Sequence, residues 1–284
     1  MTETPMLFGL DTALVGVLTQ PAPGGSADLA FLTFNAGVIS RKGPHRINVK
    51  LARALAQSGH TSFRFDLSGH GDSRNVGSEG DLQAQAVQDL RSAMDHLAQN
   101  FGIHRFALIG ICSGAVNAFA TALVDPRVTG IFLFDGHWYR TRWTLPARHW
   151  KRFRAVSWTY AAAVLGRRIA RRFATLSGPV MHVPLNAMTM LGNPPRSAYV
   201  TSMQALADRG VAIFLVYSGS VVDYYSYAGQ FRDAFVGEPF VSKVRCDFRP
   251  DFDHTLIALD VQQALIALVG DWGADLRRAS TPSL

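Results

Sequence analysis

Cys112 is the residue whose neighbours best equip it to act as a nucleophile. It sits at the centre of Gly110-Ile111-Cys112-Ser113-Gly114, between the apolar run Phe106-Ala107-Leu108-Ile109 and the helical run Ala115-Val116-Asn117-Ala118-Phe119-Ala120. Glycines two residues before and after the tip of a strand-to-helix turn mark a nucleophile elbow, with cysteine where serine usually stands. The glycines let strand and helix approach closely while the tip residue is held in a strained conformation. Only one frame fits, because Ser113 at the tip would be flanked by Ile111 and Ala115. A thiol at a helix N-terminus is also favoured as thiolate.

Such a nucleophile needs a base, and the base needs an orienting group; in elbows of this kind the chain order is nucleophile, acid, histidine. Downstream of Cys112 stand His137, His149, His182 and His254. Only His254, in Asp251-Phe252-Asp253-His254-Thr255, falls in a loop between a late strand and the final helix. The acid expected is Asp223, a few residues past the strand Ala212 to Tyr217. Asp135, at the end of the strand after the elbow helix, is its competitor. Asp253 is too close in sequence to His254 to point at the same ring. For the oxyanion, two backbone donors are needed. The amides of Ser113 and of Gly37, in the turn Asn35-Ala36-Gly37-Val38, are the expected pair.

The rest of the chain reads as the frame for these groups. Short apolar strands at Ala30–Phe34, Thr61–Leu67, Phe106–Ile109, Val128–Phe134, Val211–Tyr217 and Val241–Phe248 alternate with amphipathic stretches, Tyr224–Phe235 and Val261–Val269 being the last two helices expected. Helical spacing is plain in Ile47, Leu51 and Leu55, and again in Leu82, Ala86, Leu90, Met94 and Leu97. Leu7 to Thr19 reads as an opening hairpin. Together these predict an α/β chain with a mostly parallel sheet covered by helices on both faces.

The chain has 284 residues, 48% of them hydrophobic and 17% charged, enough to bury a large core. Neither a secretory leader nor an apolar run of membrane-spanning length is evident, and the two cysteines, Cys112 and Cys246, give no disulfide framework. A cytoplasmic location with reduced thiols is expected. No metal site is expected, since no histidine pair has ligand spacing, and no cofactor. Gly69-His70-Gly71-Asp72-Ser73-Arg74 opens like a dinucleotide fingerprint but has arginine sixth, and reads as a structural turn after Asp66.

Elbow, downstream acid and late histidine together resemble the α/β-hydrolase superfamily over almost the whole chain. Phe63-Arg64-Phe65-Asp66-Leu67-Ser68-Gly69-His70-Gly71-Asp72-Ser73 is similar to the segment after the second central strand in serine aminopeptidase-like and lipase-like members. The cysteine elbow is similar to those of dienelactone hydrolases and polyhydroxyalkanoate synthases. It is closer to a group of bacterial members with a G-x-C-S-G-A elbow. The resemblance implies an α/β-hydrolase core in residues 1–136 and 196–284, and a helical lid in residues 137–195. Some members of the fold place the acid where Asp135 stands, and many have His-Gly where this chain has Asn35-Ala36.

The implied activity is acyl transfer from an ester or thioester to water through a thioester on Cys112. An acyltransferase using the same intermediate, and a non-catalytic binding protein on the same fold, are the alternatives. The net charge of +7 is concentrated in the lid region: between Asp135 and Asp208 there is no acidic residue, against eleven arginines and lysines. Arg167, Arg168, Arg171 and Arg172 form a basic stripe at helical spacing among many aromatic residues. This stripe suits a solvated lid surface, an anionic handle on the substrate such as coenzyme A or a carrier protein, or peripheral contact with an anionic membrane. No nucleic-acid motif accompanies the charge.

Overall fold

A computed structural model describes residues 1–23, 26–76, 81–148 and 192–278. Eight strands form one sheet: β1 (Thr2–Phe8), β2 (Leu14–Gln20), β3 (Ser26–Thr33), β4 (His60–Phe65), β5 (Arg105–Ile111), β6 (Val128–Phe134), β7 (Ala212–Ser218) and β8 (Val244–Arg249). Their spatial order is β1-β2-β4-β3-β5-β6-β7-β8. β1 and β2 form the opening hairpin, and β2 meets β4 antiparallel. From β4 to β8 every pairing is parallel.

Parallel neighbours need crossovers, and helices supply them on both faces. The described helices of ten residues or more are α1 (Ile47–Gln57), α2 (Leu82–Phe101), α3 (Ser113–Val124), α4 (Arg196–Asp208) and, after the short α5 (Gln230–Ala234), α6 (Leu259–Arg278). Alternation along the strands sorts the core into two layers. Leu32, Leu108, Ile131 and Leu133 face α2, α3 and α4, where they pack with Leu90, Met94, Phe119, Tyr199 and Met203. Phe31, Ala107, Ile109, Phe132 and Phe214 face α1 and α6, against Leu51, Leu55, Leu265 and Trp272. Asp81 caps α2, its carboxylate accepting from the Gln83 and Ala84 amides, and Gly102 ends it in a left-handed conformation.

Two elements depart from the sequence expectation. α4 falls directly after the expected lid, where no helix was expected, yet Tyr199, Met203, Leu206 and Ala207 form its buried stripe. The apolar stretch from Tyr224 to Phe235 yields only the short α5, because its tyrosines pack individually and Gly229 delays the helix.

The two ends of the expected lid are tied together at the core. The Trp138 amide donates to Asn193 Oδ1 at 3.1 Å, and the Tyr139 hydroxyl donates to the Pro194 carbonyl at 2.7 Å. Trp138 stacks on Tyr224 with ring centroids 4.4 Å apart. Residues 149–191, and with them Arg167, Arg168, Arg171 and Arg172, lie outside the described residues. Among the described residues no helix is long and apolar enough to cross a membrane, and no three His, Cys, Asp or Glu side chains gather as a metal site.

Candidate active site

β5 runs up the centre of the sheet and delivers Cys112 to its carboxyl edge. The Cys112 amide still pairs with the Phe134 carbonyl at 2.9 Å, but its backbone turns to φ 57°, ψ −121°. A non-glycine residue in such a region costs roughly 1–3 kcal/mol and persists only where its surroundings enforce it. Here the two glycines do so. A Cβ on Gly110 would collide with the Gly114 carbonyl, and one on Gly114 would lie 2.9 Å from the Asn35 carbonyl oxygen. Strand, helix and the Asn35 turn therefore touch through backbone alone, leaving Cys112 half-buried at the apex.

His254 is brought to the same edge by the loop after β8. The Gly219 amide donates to the Phe252 carbonyl at 2.9 Å, and a Cβ on Gly219 would strike the Pro250 carbonyl, so this loop docks closely on the end of β7. The His254 amide donates to Ser220 Oγ at 2.9 Å. Asp253 turns into its own loop, where Oδ1 accepts from the Thr255 amide and hydroxyl and Oδ2 from the Ile257 amide.

The carboxylate facing His254 is that of Asp135, not Asp223. His254 Nδ1 lies 2.7 Å from Asp135 Oδ2, and the Cys112 side chain is the other group that acts on the imidazole, which leaves Nε2 for the sulfur. Burial pushes the ring's pKa down, but the hydrogen bonds from Asp135 and Cys112 push it up further, to about 10. The pairing with Asp135 favours the protonated ring, with Nδ1–H donating to the carboxylate. Asp135 is buried at the end of β6 with φ 51°. Its Oδ1 accepts from the Ser218 amide and its Oδ2 from the Ser218 hydroxyl, both at 2.7 Å.

Asp223 stands elsewhere because β7 ends in a tight 3-10 turn, Gly219–Val221, which carries the following residues outward. Its side chain is about half exposed and pairs with Arg148 Nε at 2.8 Å. Ser218 and Ser220, which hold Asp135 and the His254 backbone, were not singled out from the sequence. The only sequence signal is their place in the polar turn Ser218-Gly219-Ser220 after an apolar strand.

On the other side of the elbow, the Gly37 amide donates to the Ser113 hydroxyl at 2.8 Å. Gly37 has φ +56° and is open to solvent. Asn35 braces this turn: its Oδ1 accepts from the Leu67 amide at 2.7 Å, and its Nδ2 donates to the Ile39 carbonyl at 2.9 Å and to Asp66 Oδ1 at 3.2 Å. Asp66 is buried, paired with Arg41, and wrapped by the Gly69–Ser73 turn so closely that a Cβ on Gly71 would overlap its carboxyl group. The glycine-rich turn is therefore structural.

A cleft of about 380 Å³ lies along α3, and Val116, one helical turn after Cys112, is its lining residue nearest to Cys112 in that helix. Val116, Phe119, Ala120, Leu123, Pro194 and Ala198 give it a mainly apolar lining. His137 also lines it, buried between Phe119 and Tyr199, and burial lowers its pKa. Cys246 is remote from this chemistry: burial pushes its thiol up to about 12, and it contacts the Tyr225 hydroxyl.

The family described as serine aminopeptidase, S33, matches residues 45–184, which include the elbow and the Phe63–Ser73 segment. No curated protein matches the chain. Among solved structures, an esterase of Pyrococcus furiosus is 15% identical, with 97% of this chain and 90% of that one covered and a TM-score of 0.61. A proline iminopeptidase of Mycobacterium smegmatis is 15% identical, with coverage of 99% and 100% and a TM-score of 0.55. An α/β serine hydrolase of Xanthomonas campestris, described as lacking a lid, is 13% identical, with coverage of 100% and 96% and a TM-score of 0.54. Sheet order, the strand-to-helix turn at Cys112 and these likenesses agree on one architecture. The chain has the α/β-hydrolase fold.

Proposed function

We propose that the protein is an acyl hydrolase, an esterase or thioesterase, that works through a thioester on Cys112. Cys112 Sγ attacks the carbonyl carbon of the substrate while its proton passes to Nε2 of His254, so that the sulfur reacts as a thiolate. The tetrahedral intermediate places negative charge at the N-terminus of α3, where the Ser113 amide and the Gly37 turn meet it. As the intermediate collapses, the Nε2 proton of His254 passes to the departing oxygen or sulfur, leaving the acyl group on Cys112. Water then attacks the thioester, giving its proton to His254, and the acid departs as the thiolate re-forms. Throughout, Asp135 holds Nδ1–H and fixes the ring's orientation, the role of the third member of a triad.

The observation that carries this reading is the contact sequence Asp135–His254–Cys112, with a 2.7 Å bond at its buried end and a strained cysteine at the other. The apolar cleft along α3 favours an acyl group of several carbons over a polar one. The test is turnover of p-nitrophenyl esters and acyl thioesters by the wild type and Cys112→Ala, with products identified. The reading requires free acid as product and a loss of about 10³-fold or more in the variant. Acyl transfer to an added alcohol, amine or thiol in place of water would assign the same intermediate to a transferase.

A further inference from the structure

The Gly37 amide does not stand bare beside the Cys112 turn: it is bonded to the hydroxyl of Ser113. In a hole built from two amides, the Gly37 N–H would point at the position of the developing charge. Here it is already engaged, donating to Ser113 Oγ at 2.8 Å. Ser113 is the first residue of α3 and follows Cys112 directly, so its amide is one of the unpaired donors at the helix N-terminus and its hydroxyl is carried by the same residue. A hydroxyl has one proton and two acceptor sites. The Gly37 amide fills one acceptor site, and no acceptor for the proton is found among the described residues.

We infer that Ser113 Oγ–H is the second oxyanion donor, with the Gly37 amide acting through it. This inference rests on the proposed acylation of Cys112. An N–H donated to a hydroxyl polarises its O–H, so the relay strengthens the bond the hydroxyl makes in turn. The relay also keeps the Gly37–Ser113 bond intact during the reaction. Direct use of the Gly37 amide would require breaking that bond as the substrate binds. One residue thus supplies both donors, its amide fixed by the helix and its hydroxyl fixed by Gly37. Gly37 is a positioning residue in this scheme.

Acylation and alkylation of the same sulfur separate this role from a general effect on the site. Attack on an acyl thioester creates an oxyanion, whereas displacement of iodide from iodoacetamide creates none. Ser113→Ala is expected to lower kcat for acyl thioesters by about 10²-fold with KM little changed, the effect of removing one oxyanion donor. Its rate of Cys112 alkylation should stay within about threefold of wild type, which also reports that the elbow is intact. Ser113→Thr, which keeps the hydroxyl, should recover most of the turnover. Acylation by Ser113→Ala equal to or faster than wild type would overturn the inference and make the hydroxyl a plug over the Gly37 amide. Equal losses in acylation and alkylation would overturn it as well, since the side chain would then be merely structural. Either result leaves the cysteine mechanism standing, whereas a wild type that is not acylated at all overturns both.

Discussion

Replacing Asp135 by Asn tests the assignment of the orienting acid, because the structure fixes what the new amide can and cannot do. Asp135 accepts three hydrogen bonds at 2.7 Å: from the Ser218 amide, the Ser218 hydroxyl and His254 Nδ1. In Asp135→Asn the amide oxygen must stay on the Ser218 amide, which can only donate. The new NH2 group then faces His254, whose Nδ1 must become an acceptor. The ring proton moves to Nε2, and the neutral ring can no longer take a proton from Cys112 through that atom. The pKa of His254 should fall from about 10 towards its ordinary 6.5. Loss of both the correct tautomer and the imidazolium should cost about 10⁴-fold in turnover, roughly 5 kcal/mol of transition-state stabilisation. Asp223→Asn weakens a half-exposed pair with Arg148, worth about 0–1 kcal/mol and away from the His254 ring, so its turnover should stay within about threefold. The assay is steady-state hydrolysis of an acyl thioester by both variants, with the pH profile of Cys112 alkylation as a second readout. The reasoning is refuted if Asp135→Asn keeps more than about a tenth of the activity, or if Asp223→Asn is the more damaged of the two.

Other substitutions probe the frame around the site. Gly110→Ala places a methyl group against the Gly114 carbonyl and should cost about 1–3 kcal/mol, read by urea denaturation. Ala120→Phe should fill part of the cleft and lower kcat/KM for long acyl chains about tenfold or more relative to acetyl esters, measured over a chain-length series. Folding raises the pKa of His254, so its bound proton favours the native state. That contribution is complete below about pH 6.5 and is lost as pH rises through about 10. Stability measured by denaturation should therefore decline over that interval in the wild type and decline less in His254→Gln.

How much of this was legible in the sequence depends on the residue. The tight strand-to-helix turn at Cys112 was readable because its glycines answer a steric demand that acts within five consecutive residues. His254 was readable by its place between the last strand and the last helix. The choice between Asp135 and Asp223 was not, because both follow apolar strands and either could point at the ring. That choice is made by Asp135's left-handed backbone and by Ser218, on the neighbouring strand, and chain order carries neither. Asn35 illustrates the same limit. As a departure from the usual His-Gly it puts the oxyanion turn in question, whereas in the fold it ties that turn to Asp66 and Leu67. The bond between Gly37 and Ser113 spans 76 residues and had no sequence signature at all.

The central claim is that acyl groups pass through the sulfur of Cys112. It is tested most directly by mixing the protein with an excess of acyl thioester, quenching in acid at short times, and mapping the added mass by peptide mass spectrometry. The account predicts an acyl adduct on the peptide carrying Cys112 that forms and decays at rates consistent with turnover, and that is absent from Cys112→Ala. An adduct on another residue, or turnover that continues undiminished in Cys112→Ala, would contradict it.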